Sequence, residues 1–255
     1  MARFLLALPF LSIFFCLYAF STETSEELLD KAENAYKAEN YVDAQKIYST
    51  LLNSPSITKR SQANLFYNLS NTEFRLGNKG IAYAWLLRAA QIIPFDQDIR
   101  HNLNFVRTQL DPQALAVEPS GLLLPSDIPI FLKTYNRVFL VLGLALLAAQ
   151  FYFLRQRQFN KSLKIFLFSS ALFCLLSFAV LLHESNVPLA IMQKSLILRS
   201  GPSTSFSEIT TLPEGSLVQI SGSSDEWYKL SFTTSASPNK TIIGWAEQKA
   251  LLPLR

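Results

Sequence analysis

Cysteine is nearly missing from this sequence. Its 255 residues hold two, Cys16 and Cys174, and both lie inside apolar runs. That excludes a disulfide framework in the polar parts and any CxxC metal knuckle. Histidine is as scarce: His101 and His183 are the 2 present, far apart in sequence. No nucleophile–base pair has support, and an enzyme would need a buried titratable pair in a pocket. We therefore expect no enzyme, no catalytic residues, no cofactor and no metal. A charge excess of one sign is lacking too. The net charge is +4, yet residues 22–110 hold ten basic and ten acidic side chains, and residues 187–255 six and five. The surplus lies in residues 111–186, with Arg3. A nucleic-acid surface gathers positive charge on one soluble face, so no nucleic-acid partner is expected.

Apolar length is abundant instead. Residues 138–154, VFLVLGLALLAAQFYFL, contain one polar member, Gln150. Residues 165–182 contain no charge and three serines. A helix needs about 17–25 apolar residues to cross a bilayer, so both runs are expected to span, as a helical hairpin. The competing reading is a pair of buried helices in a larger α protein. The loop between the runs, residues 155–164, has Arg155, Arg157, Lys161 and Lys164 and no acid. Short positive loops stay cytoplasmic. Residues 1–21 place Arg3 before an uncharged stretch and end in Ala19 and Ser21, the form of a signal peptide; an uncleaved anchor helix stays open. Together these predict a multi-pass protein of the bacterial inner membrane with both polar ends in the periplasm.

Residues 22–110 have apolar or small residues at three- and four-residue steps, the period of amphipathic helices. Two stretches align at an offset of 38 residues. Leu28, Ala32, Ala44, Tyr48 and Leu51 fall against Phe66, Ser70, Ala82, Leu86 and Ala89. Pro55 and Pro94 close the two units, since proline cannot continue a helix. The pattern resembles the tetratricopeptide repeat, although Lys31 stands where a large apolar residue is expected. An ordinary helical bundle is the plain alternative. FDQDIRHNLNFVRTQL, after Pro94, reads as a capping helix. The resemblance implies a concave face that binds peptides or proteins, with Tyr67, Asn68, Asn71 and Arg75 on it; the competing reading leaves the asparagines merely solvated. Residues 111–135 carry four prolines and read as a semi-rigid linker.

From residue 187 the helical period gives way to short alternating runs broken at Gly201-Pro202, Pro213-Glu214-Gly215, residues 221–225 and residues 235–239. Five strands in this length suggest a small all-β barrel. Leu198-Arg199-Ser200-Gly201-Pro202-Ser203, Leu212-Pro213-Glu214-Gly215, Glu226-Trp227-Tyr228-Lys229-Leu230 and Gly244-Trp245-Ala246 resemble the bacterial SH3 (SH3b) family. That family implies a peptide or cell-wall ligand, with Arg199, Trp227, Tyr228 and Trp245 as candidates for its groove. Trp227 and Trp245 as core residues is the competing reading.

The expected fold is thus multidomain: signal peptide 1–21, a TPR-like solenoid over 22–110, linker 111–135, spans at 138–154 and 165–182 around a cytoplasmic loop, and an SH3-like barrel over 187–255. The order of parts is similar to the BatE family of the bacterial aerotolerance (Bat) operon. The resemblance implies a membrane-embedded scaffold whose partners are other Bat-operon membrane proteins of the von Willebrand A-domain type. Peptidoglycan or a peptide is the ligand expected for the barrel. A peptidoglycan-anchoring protein, with the barrel as the functional part, is the alternative.

Overall fold

The computed structural model describes residues 25–52, 58–120, 136–155 and 161–254. The expected signal peptide lies outside them, as do most of the Pro-containing linker and half of the expected loop at 155–164. The chain divides into two compact units, residues 1–58 and residues 59–255.

The first unit is one helix pair, α1 (Ser25–Lys37) and α2 (Tyr41–Leu51). Ala32, Ala44, Tyr48 and Leu51 are buried between the two. The turn puts Glu39 at φ 60°, a left-handed conformation uncommon outside glycine. The Asn40 N–H donates to the Ala35 carbonyl at 2.9 Å.

In the second unit, α3 (Lys59–Arg75) and α4 (Lys79–Ile92) form another pair. Here Ser70, Ala82, Leu86 and Ala89 are buried. Ser70 Oγ donates to the Ala82 carbonyl at 2.8 Å, which the small pair Ser70/Ala82 permits. Gly77 takes the left-handed turn position at φ 85°, and the Asn78 N–H donates to the Glu73 carbonyl at 2.9 Å. Helix α5 (Gln97–Thr108) follows, capped by Asp96, whose side chain accepts from the Asp98 and Ile99 N–H groups. Its apolar side, Ile99, Leu103 and Val106, is buried. The Arg88 guanidinium on α4 lies 4.8 Å from the Trp85 ring centroid and 5.8 Å from that of Phe66. Burial pushes its pKa below the ordinary arginine value.

The chain then makes a short turn, α6 (Pro112–Leu115), and a three-residue strand, β1 (Val117–Pro119). Two helices come next, α7 (Asn136–Arg155) and α8 (Lys161–Asn186). They pack on each other where Gly143 meets Cys174 and Leu175, and bury Ala171, Cys174 and Leu181. Large apolar side chains such as Phe151, Phe166 and Phe173 face outward.

The hairpin corrects the sequence reading. Among the described residues no helix is long and apolar enough to cross a membrane. The two spans at 138–154 and 165–182 therefore fall. So does the multi-pass inner-membrane placement, with periplasmic ends, that rested on them.

The remaining strands are β2 (Leu189–Met192), β3 (Leu196–Arg199), β4 (Glu208–Leu212), β5 (Leu217–Ser224), β6 (Trp227–Thr234), β7 (Ser237–Glu247) and β8 (Leu251–Pro253). All pairings are antiparallel, in the order β4-β3-β7-β6-β5-β2-β8, and β1 pairs with β6. Every strand sends a side chain into one core: Val117, Ala190, Leu198, Leu212, Val218, Phe232, Ala246 and Leu251 among others. The sheet wraps this core, and polar residues alternate outward. The first strand of the core lies before the helices α7 and α8 in the chain and the second after them. The helix hairpin is thus an insertion into the sheet domain.

Candidate ligand-binding face of the SH3 sheet

Residues opposite each other on antiparallel strands share a face. Arg199 on β3 is opposite Trp245 on β7, and Trp245 is opposite Lys229 on β6. Their neighbours Leu198, Ala246 and Leu230 are buried in the core. Arg199, Trp245 and Lys229 therefore form a row across the outer face. Trp227 pairs with Glu247 and belongs to the next row of that face, a diagonal neighbour of Trp245 at about 7–8 Å. Both tryptophans are half-buried: each gives part of its ring to packing and part to the surface.

Two further contacts shape this face. The Arg199 guanidinium donates to the Phe206 carbonyl at 2.9 Å and pairs with Glu208 at 3.4 Å. It thereby holds the β3–β4 loop, in which a Cβ on Gly201 would lie 2.6 Å from the Phe206 ring. At the other edge, Glu247 pairs with Lys249 at 2.7 Å. That hydrogen bond and charge raise the Lys249 pKa above the ordinary lysine value.

Of the four residues read from sequence for the groove, the sheet brings Arg199, Trp227 and Trp245 onto one face. Tyr228 is opposite Ala246, so it points the other way, and its ring packs against the core. Lys229 was not singled out from the sequence; strand alternation in Trp227-Tyr228-Lys229-Leu230 is the signal that places it beside Trp227. The helical candidates lie on α3. The Asn102 amide of α5 donates to Tyr67 Oη and Asn71 Oδ1, both at 3.0 Å, which ties these two side chains to the neighbouring helix. Asn68 is half-buried and Arg75 exposed. Among the described residues, no group of three or more His, Cys, Asp or Glu is gathered as a metal site would require.

A strongly wrapped antiparallel sheet with a Gly-Pro turn after β3 and a Gly-Trp pair on β7 defines a small SH3-like domain. Residues 194–251 match the family model described as Bacterial SH3 domain, so the chain carries a bacterial SH3 domain over that segment. Neither the curated proteins nor the solved structures contain a match to the chain.

Proposed function

We propose that this is a non-enzymatic binding protein whose SH3 domain holds a cell-wall ligand, peptidoglycan or one of its peptides, on the β3–β7–β6 face. The observation that carries the reading is the row Arg199, Trp245, Lys229, with Trp227 beside it, on the exposed side of a domain that matches the bacterial SH3 family. Flat aromatic faces suit the apolar side of a sugar or a peptide backbone. The lysine and arginine suit the carboxylates of wall peptides. The test is co-sedimentation of the full chain with purified sacculi. We expect binding, and at least a ten-fold loss on Trp245→Ala, in keeping with an anchor residue. Full binding by the Trp245→Ala chain, or none by the parent, refutes the reading.

A second reading, a scaffold of the BatE type that takes von Willebrand A-domain proteins through TPR-like repeats, has one specific support. The helix pairs 38 residues apart bury equivalent positions: Ala32 and Ser70, Ala44 and Ala82, Tyr48 and Leu86. Pull-down of such a protein by the full chain, lost on Arg75→Glu, supports it. Failure to recover one that binds a positive control counts against it.

A further inference from the structure

We infer that Glu214 is a helix cap supplied from a distant part of the same chain, a latch that holds the SH3 sheet and the helices α3–α5 in one fixed geometry. Helix α4 has Asn78 at its N-cap position, but that side chain makes no capping hydrogen bond. Its amide instead donates to Glu73 Oε2 at 2.8 Å. The equivalent Asn40 of α2 does cap its own helix. The first N–H groups of a helix have no partner within it. On α4 one of them, that of Gly80, donates at 2.6 Å to Glu214 Oε1, which is 134 residues away in sequence. Glu214 sits in the turn between β4 and β5. A carboxylate at this end is also favoured by the helix dipole.

The approach of the two modules is close enough to need glycine on both sides. A Cβ on Gly80 would lie 2.6 Å from Glu214 Cγ and 2.6 Å from the Met192 carbonyl oxygen. A Cβ on Gly215, at φ +84°, would lie 2.6 Å from Leu110 Cδ2. Further along α4, Arg88 donates to the Pro253 carbonyl of β8. Gly80 and Arg88 are eight residues apart, about 12 Å along the helix axis. Two such contacts fix direction as well as distance. Strand β1 adds a third tie, since it leads from α6 straight into the sheet.

The test uses the full chain with Leu110→Cys, because Leu110 is buried against Gly215. Thiol labelling at position 110 is followed by peptide mass. A latched protein labels at least ten-fold slower there than at Thr108→Cys, which is exposed. We expect Gly80→Ala and Glu214→Ala each to raise the rate at position 110 at least ten-fold. The sign separates a latch from simple helix support: alanine is the better helix former, so a role confined to the helix predicts no gain in labelling from Gly80→Ala. Asn78→Asp offers α4 a cap of its own, and should leave the fast labelling of Glu214→Ala unchanged. Slow labelling in either single variant, or its full return with Asn78→Asp, overturns the inference.

Discussion

Val117→Ala tests whether a strand from before the helix hairpin is part of the SH3 core. Val117 is 7 % exposed and sits in the same cluster as Ala190, Leu230 and Phe232. The substitution removes two methyl groups. At about 0.8 kcal/mol per buried methylene the transfer term is about 1.6 kcal/mol, and an incompletely collapsed cavity adds to it. We expect a loss of about 2 kcal/mol. For a unit of this size that lowers Tm by about 4–8 °C. Val42→Ala makes the same chemical change at a site 63 % exposed and should stay within about 0.5 kcal/mol. The assay is thermal unfolding of the full chain by near-ultraviolet circular dichroism, with amide exchange to localise the effect. The Ser235 N–H donates to the Ala116 carbonyl at 2.9 Å, so its protection should fall together with Tm. If Val117→Ala unfolds with Val42→Ala, strand β1 does not belong to the core and the inserted-hairpin topology is wrong.

Three further outcomes follow from local geometry. Gly244→Ala should destabilise the sheet by more than 2 kcal/mol, an overpacking cost of about 1–3 kcal/mol in its upper half, because the new Cβ would lie 2.5 Å from Leu198 Cγ; denaturant midpoints measure it. Ser70→Ala leaves the Ala82 carbonyl without its 2.8 Å donor and should cost about 1 kcal/mol in the same assay. The two left-handed turn residues should respond with opposite signs. Glu39→Gly relieves a non-glycine at φ 60° and should stabilise the first helix pair by about 0.5–1 kcal/mol, whereas Gly77→Ala, at φ 85° with open space around it, should destabilise the second by a similar amount; each is read from the Tm of its own unit.

Those two turns also show what was legible in the sequence. The 38-residue offset was visible in apolar letters, and it extends to hydrogen bonds. Glu39 and Gly77 both take positive φ, and Asn40→Ala35 and Asn78→Glu73 are the same backbone bond one period apart. Strands β3 to β7 were legible because one face is buried and the other wet, which imposes alternation. Strands β1, β2 and β8 were not. Val117–Pro119 is too short to show a period. Leu189–Met192 is buried on both faces and reads as the tail of an apolar run. The hairpin was misread for a related reason. Apolar letters alone were read as spans, whereas among the described residues no helix is long and apolar enough to cross a membrane. Tyr228 was grouped with Trp227 by residue type, and strand parity turns it to the opposite face.

The latch was illegible in principle, and it bears on where a ligand can sit. Leu212-Pro213-Glu214-Gly215 looks like ordinary turn chemistry, and nothing nearby says that Glu214 caps a helix far upstream. Its contact, with Arg88 on Pro253 and Leu110 on Gly215, covers the β4–β5 turn and the β8 end of the sheet. Strand β1 occupies the far end of β6. The outer rows of β3, β7 and β6, with Arg199, Trp245, Lys229 and Trp227, receive none of these contacts. An SH3 domain free on a tether could offer any edge to a partner. One clamped in this way offers chiefly this face, in a fixed direction relative to α3 and α5. A wall ligand held on this face, as proposed above, would then be tied in direction to the helices α3–α5. Loosening Glu214 should therefore leave affinity for sacculi nearly intact while it frees the helices from the orientation that the bound sheet imposes.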